Sequence, residues 1–225
     1  VWFKTRIAKA KASLGRAEEA IADLKDIVLQ KSEWHIYKEI ATLAYQLKEY
    51  DDALRYGAEA ALGHGPLFFK WELFLLMAVT LREKEENSLA KQHAQLSARI
   101  RGEKGWNIKG RTKELFSEFG VDAQSGPPPK ELAQALKKQW KEWTTEMLPR
   151  QEGVIDWVHH EKPFGFIKVD EQEDSIYFQT RSFNGTEEQC TGGVRVQFYV
   201  TESYDKKKDE MSTEAVEVDP SIQQD

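Results

Sequence analysis

The stretch GVIDWVHHEKPFGFIKVD, residues 153–170, joins strand-forming residues to an unusual density of aromatic rings. Its second half, FGFIKV, alternates in character, and alternate side chains of a strand point to opposite faces of the sheet. One face carries small or aliphatic residues that suit a barrel interior, namely Gly165, Ile167 and Val169. The other face carries Phe164, Phe166 and Lys168, so two phenylalanine rings are predicted to point outward.

Outward-facing rings need a physical reason, because burial of one phenylalanine stabilises a fold by about 1.5–3 kcal/mol. Stacking an unpaired base on an aromatic ring contributes a similar amount, about 1–3 kcal/mol. Tyr177 is predicted on the same face, and Lys162 and Lys168 flank that face with positive charge. The pattern favours a surface for single-stranded nucleic acid, on which Gly165 leaves room for a base. The alternative is that the rings pack against a helix predicted over residues 130–148.

The rest of the tail repeats the two-residue period. VRVQFYV (194–200) and EAVEV (214–218) alternate apolar with polar side chains, as half-buried strands do. Five short antiparallel strands in this length fit a closed OB-type barrel, which leaves no sheet edge exposed. The predicted strands span about residues 153–158, 164–169, 175–179, 194–201 and 214–218.

The order and spacing of several residues resemble the first motif of the cold-shock domain, Gly-x-Val, Trp, then Glu-Lys-Gly-Phe-Gly-Phe-Ile. They are Gly153, Trp157, Glu161, Lys162, Phe164, Gly165, Phe166 and Ile167. IYFQ (176–179) stands where the second motif of that family, Val-Phe-Val-His-Phe, begins, and the resemblance covers about residues 151–220. It implies a barrel that binds single-stranded RNA or DNA. Strict alternation places Trp157 with Ile155 on the inner face, so the outward position of this ring is implied by the resemblance alone. The nucleic-acid-binding residues that the resemblance implies are Trp157, Lys162, Phe164, Phe166, Lys168, Tyr177 and Gln179.

Some positions depart from the family pattern. Asp156 and Val158 flank the tryptophan in place of a basic residue and a phenylalanine. Pro163 replaces a glycine, Gln179 replaces a histidine and Thr180 replaces a phenylalanine. These departures reduce the predicted stacking surface and add a carboxylate beside it.

The charge of the chain is divided unevenly. Residues 151–225 contain 7 Lys and Arg against 17 Asp and Glu, whereas residues 1–150 contain 25 against 21. The acidic tail keeps a second function open, that of a protein-interaction scaffold whose barrel has lost nucleic-acid binding. Lys206 to Lys208, in the loop predicted before the last strand, are candidates for contact with a phosphate backbone.

Residues 1–104 show a helical period instead. Polar turns followed by an acidic pair and an alanine recur, and the alanines Ala20, Ala53 and Ala90 lie 33 and 37 residues apart. This resembles tetratricopeptide (TPR) repeats, which have a period of about 34 residues. The resemblance implies paired helices that dock a protein partner, with a degenerate, longer third repeat; an ordinary helical bundle is the alternative. Residues 1–3 are expected to end an earlier helix.

Residues 105–150 are predicted to be a linker with capping helices. A short helix is expected over residues 110–120, and the SGPPP segment (125–129) predicts a stiff loop before the helix over 130–148. One stripe of that helix is apolar and is expected to cap the last repeat or to meet the next domain. The stripe consists of Leu132, Leu136, Trp140, Trp143 and Met147. The opposite face carries Lys130, Lys137, Lys138 and Lys141, which are either solvated or in contact with phosphates.

The chemistry of the remaining residues argues against an enzyme. The sequence contains no nucleophile elbow, phosphate loop or metal-ligand spacing, so no cofactor or metal is predicted. His35, His64 and His93 are predicted to be surface or turn residues, and Cys190 a small buried residue. A lone cysteine fits a reducing, cytoplasmic compartment, and the sequence has no run of about 18 apolar residues that would span a membrane. The expected fold is a multidomain α + β protein, with helical repeats over 1–104, linker and caps over 105–150, and a cold-shock-like barrel over 151–225.

Overall fold

The computed structural model describes residues 2–205 and 208–221 of the chain. The chain divides into two compact units, Val1–Thr144 and Thr145–Asp225. Among the helices of the described residues, none combines the length and the apolar character needed to cross a bilayer. Val1, Lys206 and Lys207, which carried sequence predictions, lie outside the described residues.

The first unit is helical, as the sequence predicts. Its successive α-helices pack on one another in sequence order from α1 to α6, which makes three consecutive helical hairpins. The helices are α1 (Trp2–Ser13), α2 (Ala17–Gln30), α3 (Trp34–Gln46), α4 (Tyr50–Leu62), α5 (Trp71–Glu83), α6 (Asn87–Glu103), α7 (Gly110–Glu118) and α8 (Pro129–Thr145). Trp2 and Phe3 belong to α1, so the expectation that they end an earlier helix is wrong.

Small residues sit where the paired helices approach each other. Ala20, Ala53 and Ala90 are 0%, 2% and 1% exposed and each lies near the start of the second helix of its hairpin. The additional residues of the third interval form the segment 63–70 between α4 and α5, which contains a short 3-10 helix at Leu67–Lys70. The third hairpin itself is therefore regular, because the extra length precedes it.

The three hairpins share one turn geometry. Gly15, Lys48 and Glu85 adopt left-handed backbone angles, with φ of 80°, 63° and 63°. In each turn the next backbone N–H donates to the carbonyl five residues earlier, the pattern of a Schellman motif. These bonds join Arg16 to Lys11 (3.0 Å), Glu49 to Ala44 (2.9 Å) and Glu86 to Leu81 (2.9 Å).

Helix α8 packs into the core of the helical unit through the predicted apolar stripe. Leu136 and Trp140 are 2% and 3% exposed, and Leu132 and Trp143 pack beside them. The helix ends at Thr145, before the predicted end at 148, so Met147 lies beyond it and is 83% exposed. The stripe therefore contains four of its five predicted members.

His93 is the main correction in this unit, because it is fully buried where a surface position was expected. Its Nδ1–H donates to the Leu89 carbonyl at 2.8 Å, and its Nε2 accepts from the Trp140 indole N–H at 2.9 Å. Burial lowers the pKa of His93 to about 4. A neutral histidine thus joins α6 to α8, and the polar group is satisfied on both sides.

The second unit is a closed barrel with strand order β1-β2-β3-β5-β4. All five predicted strands are present, and β1, β4 and β5 are longer than predicted. They are β1 (Arg150–Val158), β2 (Phe164–Val169), β3 (Ser175–Gln179), β4 (Arg195–Asp205) and β5 (Glu210–Pro220). The interior is filled by fully buried apolar side chains, including Ile155, Ile167, Phe178, Val196 and Phe198. Cys190 is half-buried against this core, where burial raises the pKa of its thiol.

Candidate nucleic-acid interface

Five aromatic side chains meet on the outer face of β1 and β2 and the adjoining part of β3. We call this set the aromatic platform; it consists of Trp157, His159, Phe164, Phe166 and Tyr177. Trp157 is 43% exposed and the other four are half-buried. The strand register explains the cluster, because Phe166 is paired with Trp157 on one side and with Tyr177 on the other.

The rings are packed edge to face or at a tilt, which fixes their planes. The Trp157 and Phe166 centroids are 5.3 Å apart, and the Phe164 and Tyr177 centroids are 5.7 Å apart. Phe164 and Phe166 meet at 84° with centroids 6.2 Å apart. Such contacts stabilise the rings against one another, so the surface is formed before any ligand binds.

A β-bulge places Trp157 outward. Ile155 pairs with Ile167 but Trp157 pairs with Phe166, so β1 uses one extra residue, Asp156, between these pairs. A bulge re-aims the side chains that follow it. Ile155 therefore remains in the core while Trp157, two residues later, joins the platform, which strict alternation could not predict.

Gly165 serves the barrel core rather than the ligand face. A Cβ at this position would lie 2.7 Å from a ring carbon of Phe178 and 2.6 Å from the Trp157 carbonyl oxygen. The residue is buried, and its missing side chain points inward. The prediction that Gly165 leaves space for a base is therefore wrong: the glycine makes room for the Phe178 ring.

His159 is a platform member that sequence reasoning missed. Its ring lies 5.1 Å from the Phe164 ring between centroids and 6.3 Å from that of Trp157. Its Nδ1 accepts the backbone N–H of Glu161 and of Lys162, at 3.0 and 3.2 Å, so the neutral ring carries its proton on Nε2. The available signal was its spacing of two from Trp157, which puts both side chains on one face of an extended strand.

Positive charge near the platform is sparse. Lys162 and Lys168 are both exposed, the first in the β1–β2 loop and the second on the platform face of β2. A groove of about 900 Å³ is lined by Trp157 and by two cations, Lys162 and Arg181. Three carboxylates also line it, those of Asp156, Glu161 and Glu187. Mixed charge in the groove gives a phosphate backbone few favourable contacts, so stacking is the main interaction that this surface offers.

Gln179 is held at the edge of the platform by a carboxylate. It is paired with Phe164 in the β2–β3 register, and its Nε2 donates to Glu214 Oε1 at 2.8 Å. Burial raises the pKa of Glu214, and the hydrogen bond from Gln179 opposes that rise. Burial, followed by the nearby Glu214, also raises the pKa of Tyr177, so its phenol keeps its proton. All seven predicted site residues thus lie on the platform or beside it.

Comparison with known proteins identifies the barrel. Residues 151–218 match the family model described as the 'Cold-shock' DNA-binding domain. No curated protein matches the chain. Among solved structures, one described as "drosophila Unr CSD456" is 15% identical, with a TM-score of 0.29. That match covers 37% of this chain and 32% of the other, so the chain spans about a third of the length of that structure. The family match covers less than half of the chain, and it establishes that residues 151–218 are a cold-shock domain, a nucleic-acid-binding domain in general terms.

Proposed function

We propose that the chain binds single-stranded RNA or DNA by stacking unpaired bases on the aromatic platform. The observation that carries this proposal is the cluster of five rings on the outer face of a barrel whose interior is already filled. Each stacked base contributes about 1–3 kcal/mol. Trp157, Phe164, Phe166 and Tyr177 supply the planes, Gln179 supplies a polar edge, and Lys162 and Lys168 meet phosphates.

The helical unit is assigned the role of docking a protein partner, as TPR-like repeats do. Support comes from three successive hairpins with a common turn geometry and buried alanines at matching positions. The whole chain then acts without catalysis, as an adaptor between a nucleic acid and a protein. The single cysteine supports a reducing, cytoplasmic compartment.

The proposal is tested by replacing Phe164 and Phe166 with Ala together in the full chain. The free energy of binding to a short unpaired oligonucleotide should weaken by about 2–6 kcal/mol, which corresponds to the loss of two stacked bases. Fluorescence anisotropy measures the affinity, and circular dichroism checks that the barrel is folded. Tyr199→Ala is the matched control, because Tyr199 is a half-buried ring on the outside of β4 and away from the platform.

Two outcomes would refute nucleic-acid binding through this surface. Unchanged affinity in a folded double variant would mean that bases do not stack on these rings. Undetectable binding by the wild-type chain would favour the alternative function, a protein-interaction scaffold, to which Asp156 and the acidic charge of the tail already point.

A further inference from the structure

A second cluster of aromatic rings, with one cation beside it, lies on the helical unit, and we call it the Phe68 patch. It consists of Phe68, Phe69, Lys104 and Trp106. Phe69 is 55% exposed, an unusual position for a large apolar side chain because its burial would stabilise the fold by about 1.5–3 kcal/mol. Phe68 is half-buried against the helical core and Trp106 is also half-buried, so Phe69 is the ring of this cluster that is open to solvent.

The rings of the Phe68 patch form a continuous surface. The Phe68 and Phe69 centroids are 4.3 Å apart, and Phe68 and Trp106 meet at 71° with centroids 6.5 Å apart. The Lys104 ammonium lies 4.4 Å from the centre of the Phe68 ring. Aromatic planes beside a cation are the combination that unpaired nucleotides use, since the base stacks and the phosphate meets the charge.

The segments that carry the patch are held rigidly. Phe68 and Phe69 lie in the short 3-10 helix that ends at Lys70, whose buried ammonium donates to the carbonyls of Ala61 at 3.0 Å and Gly63 at 2.5 Å. On the other side, the Trp106 backbone N–H donates to the Arg101 carbonyl at 3.0 Å. The Arg101 guanidinium in turn lies 4.1 Å from the Trp71 ring centre. A rigid surface loses little entropy when it binds a ligand.

Charge favours an anionic ligand at this patch. The segment 101–113 contains five Lys and Arg against one Asp or Glu. Of these cations, Arg111 is paired with Glu114 and Glu118. Beside the rings, Lys104 and Lys130 line a cleft of about 190 Å³ that also contains Glu103. Two lysines face one carboxylate at this cleft, so its charge suits an anionic strand. Base stacking needs only an exposed plane, which Phe69 supplies.

From these observations we infer that the Phe68 patch is a second contact surface for single-stranded nucleic acid. Bases stack on Phe69 and its neighbouring rings, and phosphates meet Lys104 and Lys130. The inference does not depend on the function proposed for the platform. Where both surfaces bind one strand, the second contact becomes intramolecular and raises the overall affinity without any change in either surface.

The test uses the full chain and two fluorescein-labelled oligouridine strands, one of about 8 nucleotides and one three times as long. One site of this kind covers about 4–16 nucleotides, so the longer strand can reach beyond a single site. The variant Phe69→Ser/Lys104→Glu removes one plane and reverses one charge of the patch. Its matched control is Leu14→Ser/Lys91→Glu, which replaces an exposed apolar side chain with serine and reverses one exposed charge elsewhere on the helical unit, without removing a ring. The patch variant should lose about tenfold in affinity for the long strand, the value of one stacked base, and the control should lose none.

Photocrosslinking of 4-thiouridine strands, followed by peptide mass spectrometry, locates the contact directly. Crosslinks at Phe68, Phe69 or Trp106 are expected in the wild type and also in the Phe164→Ala/Phe166→Ala platform variant. Equal affinities of the patch variant and its control, with crosslinks confined to the barrel, would overturn the inference and leave the platform proposal intact. Loss of binding in the patch variant, together with unchanged affinity in the Phe164→Ala/Phe166→Ala variant, would support the inference and refute the platform, so the two failures are distinguishable.

Discussion

The Gln179–Glu214 pair places a carboxylate on the platform side of the barrel. Because an ionised carboxylate only accepts hydrogen bonds, Glu214 fixes the Gln179 amide with its N–H₂ group turned inward, toward the carboxylate. The amide oxygen of Gln179 is then the acceptor that remains for a base. Glu214 also brings a negative charge close to where phosphates would pass.

Replacing Glu214 with Gln should therefore raise the affinity for unpaired oligonucleotides at neutral pH. Removal of one repulsive charge is worth about 0.2–1 kcal/mol, or up to about fivefold. Since burial raises the pKa of Glu214 above the ordinary value for a glutamate, its charge is lost at a higher pH than that of an exposed glutamate. The advantage of the variant should therefore shrink as the pH falls. Anisotropy titrations of wild type and variant at several pH values measure this difference. A difference that is independent of pH would show that Glu214 acts through packing instead of charge.

The buried His93 and the half-buried Glu59 of the helical unit respond to pH in opposite ways. For His93 the pKa falls from 6.5 to about 4 on folding, because burial disfavours its charged form. The unfolded state then binds the extra proton, so stability is lost as the pH falls below about 6.5. Burial raises the pKa of Glu59 from 4.5 to about 7, against a smaller opposing effect of Arg55. Here the folded state binds the extra proton, so stability is gained as the pH falls through about 7.

Single substitutions should expose the two opposite slopes. In His93→Gln only the Glu59 effect remains, and the free energy of unfolding should rise as the pH falls from 6.5 to 5. In Glu59→Gln only the His93 effect remains, and the free energy should fall, in both cases by at most about 1.4 kcal/mol per pH unit. Urea denaturation followed by far-ultraviolet circular dichroism measures both, because the helices dominate that signal. If the free energy of unfolding changed with pH in the same direction in both variants, these assignments would be contradicted.

At the scale of the element, the three hairpin turns differ in residue but not in geometry. A left-handed backbone conformation costs a residue with a side chain about 1–2 kcal/mol. Lys48 and Glu85 adopt it at that cost, whereas Gly15 adopts it without the cost because it has no side chain. Glu85→Gly should therefore stabilise the helical unit by about 0.5–1 kcal/mol after allowance for the more flexible unfolded chain. Gly15→Ala should destabilise the unit by a similar amount through the backbone alone, since a Cβ there meets nothing within 4 Å.

Urea denaturation midpoints measure both changes. Gln92→Gly is the matched control, because Gln92 is exposed like Glu85 but lies in the interior of helix α6. Glycine in a helix costs about 1 kcal/mol, so this variant should lose stability where Glu85→Gly gains it. A loss in both variants would mean that the Glu85 side chain, and not its backbone angle, matters to the turn.

These elements show which features a sequence can predict. Apolar residues that recur every two residues predicted the five strands, and those that recur every 3.6 residues or so predicted the helices. Burial of one face of an element leaves such a repeating pattern in the sequence. The bulge at Asp156 left no such pattern, since it depends on pairing with β2. The left-handed turns at Lys48 and Glu85 were hidden for a related reason: tertiary packing of the hairpins imposes an angle that the residues do not prefer. His93 was misplaced because its partner, Trp140, lies 47 residues away.

At the scale of the whole molecule, charge limits how nucleic acid can be held. The tail has 7 Lys and Arg against 17 Asp and Glu. Some of its cations are already engaged, as Arg195 is with Asp170 and Glu152. Long-range attraction of a phosphate backbone to the tail is therefore weak, and short-range stacking has to supply most of the affinity.

Binding of a short strand should accordingly depend only weakly on salt. Each phosphate neutralised on a single strand adds about 0.7 to the slope of log affinity against log salt. Contacts from Lys162 and Lys168 alone predict a slope of about 1.4 in magnitude. The variant Lys162→Gln/Lys168→Gln should bring this slope close to zero. The variant Phe164→Ala/Phe166→Ala should instead lower the affinity by the same factor at every salt concentration, because stacking releases no counterions. Anisotropy titrations over a range of salt concentrations separate the two variants. A wild-type slope several times larger, unchanged in the lysine variant, would mean that phosphates are held by other cations of the chain and that the platform is secondary.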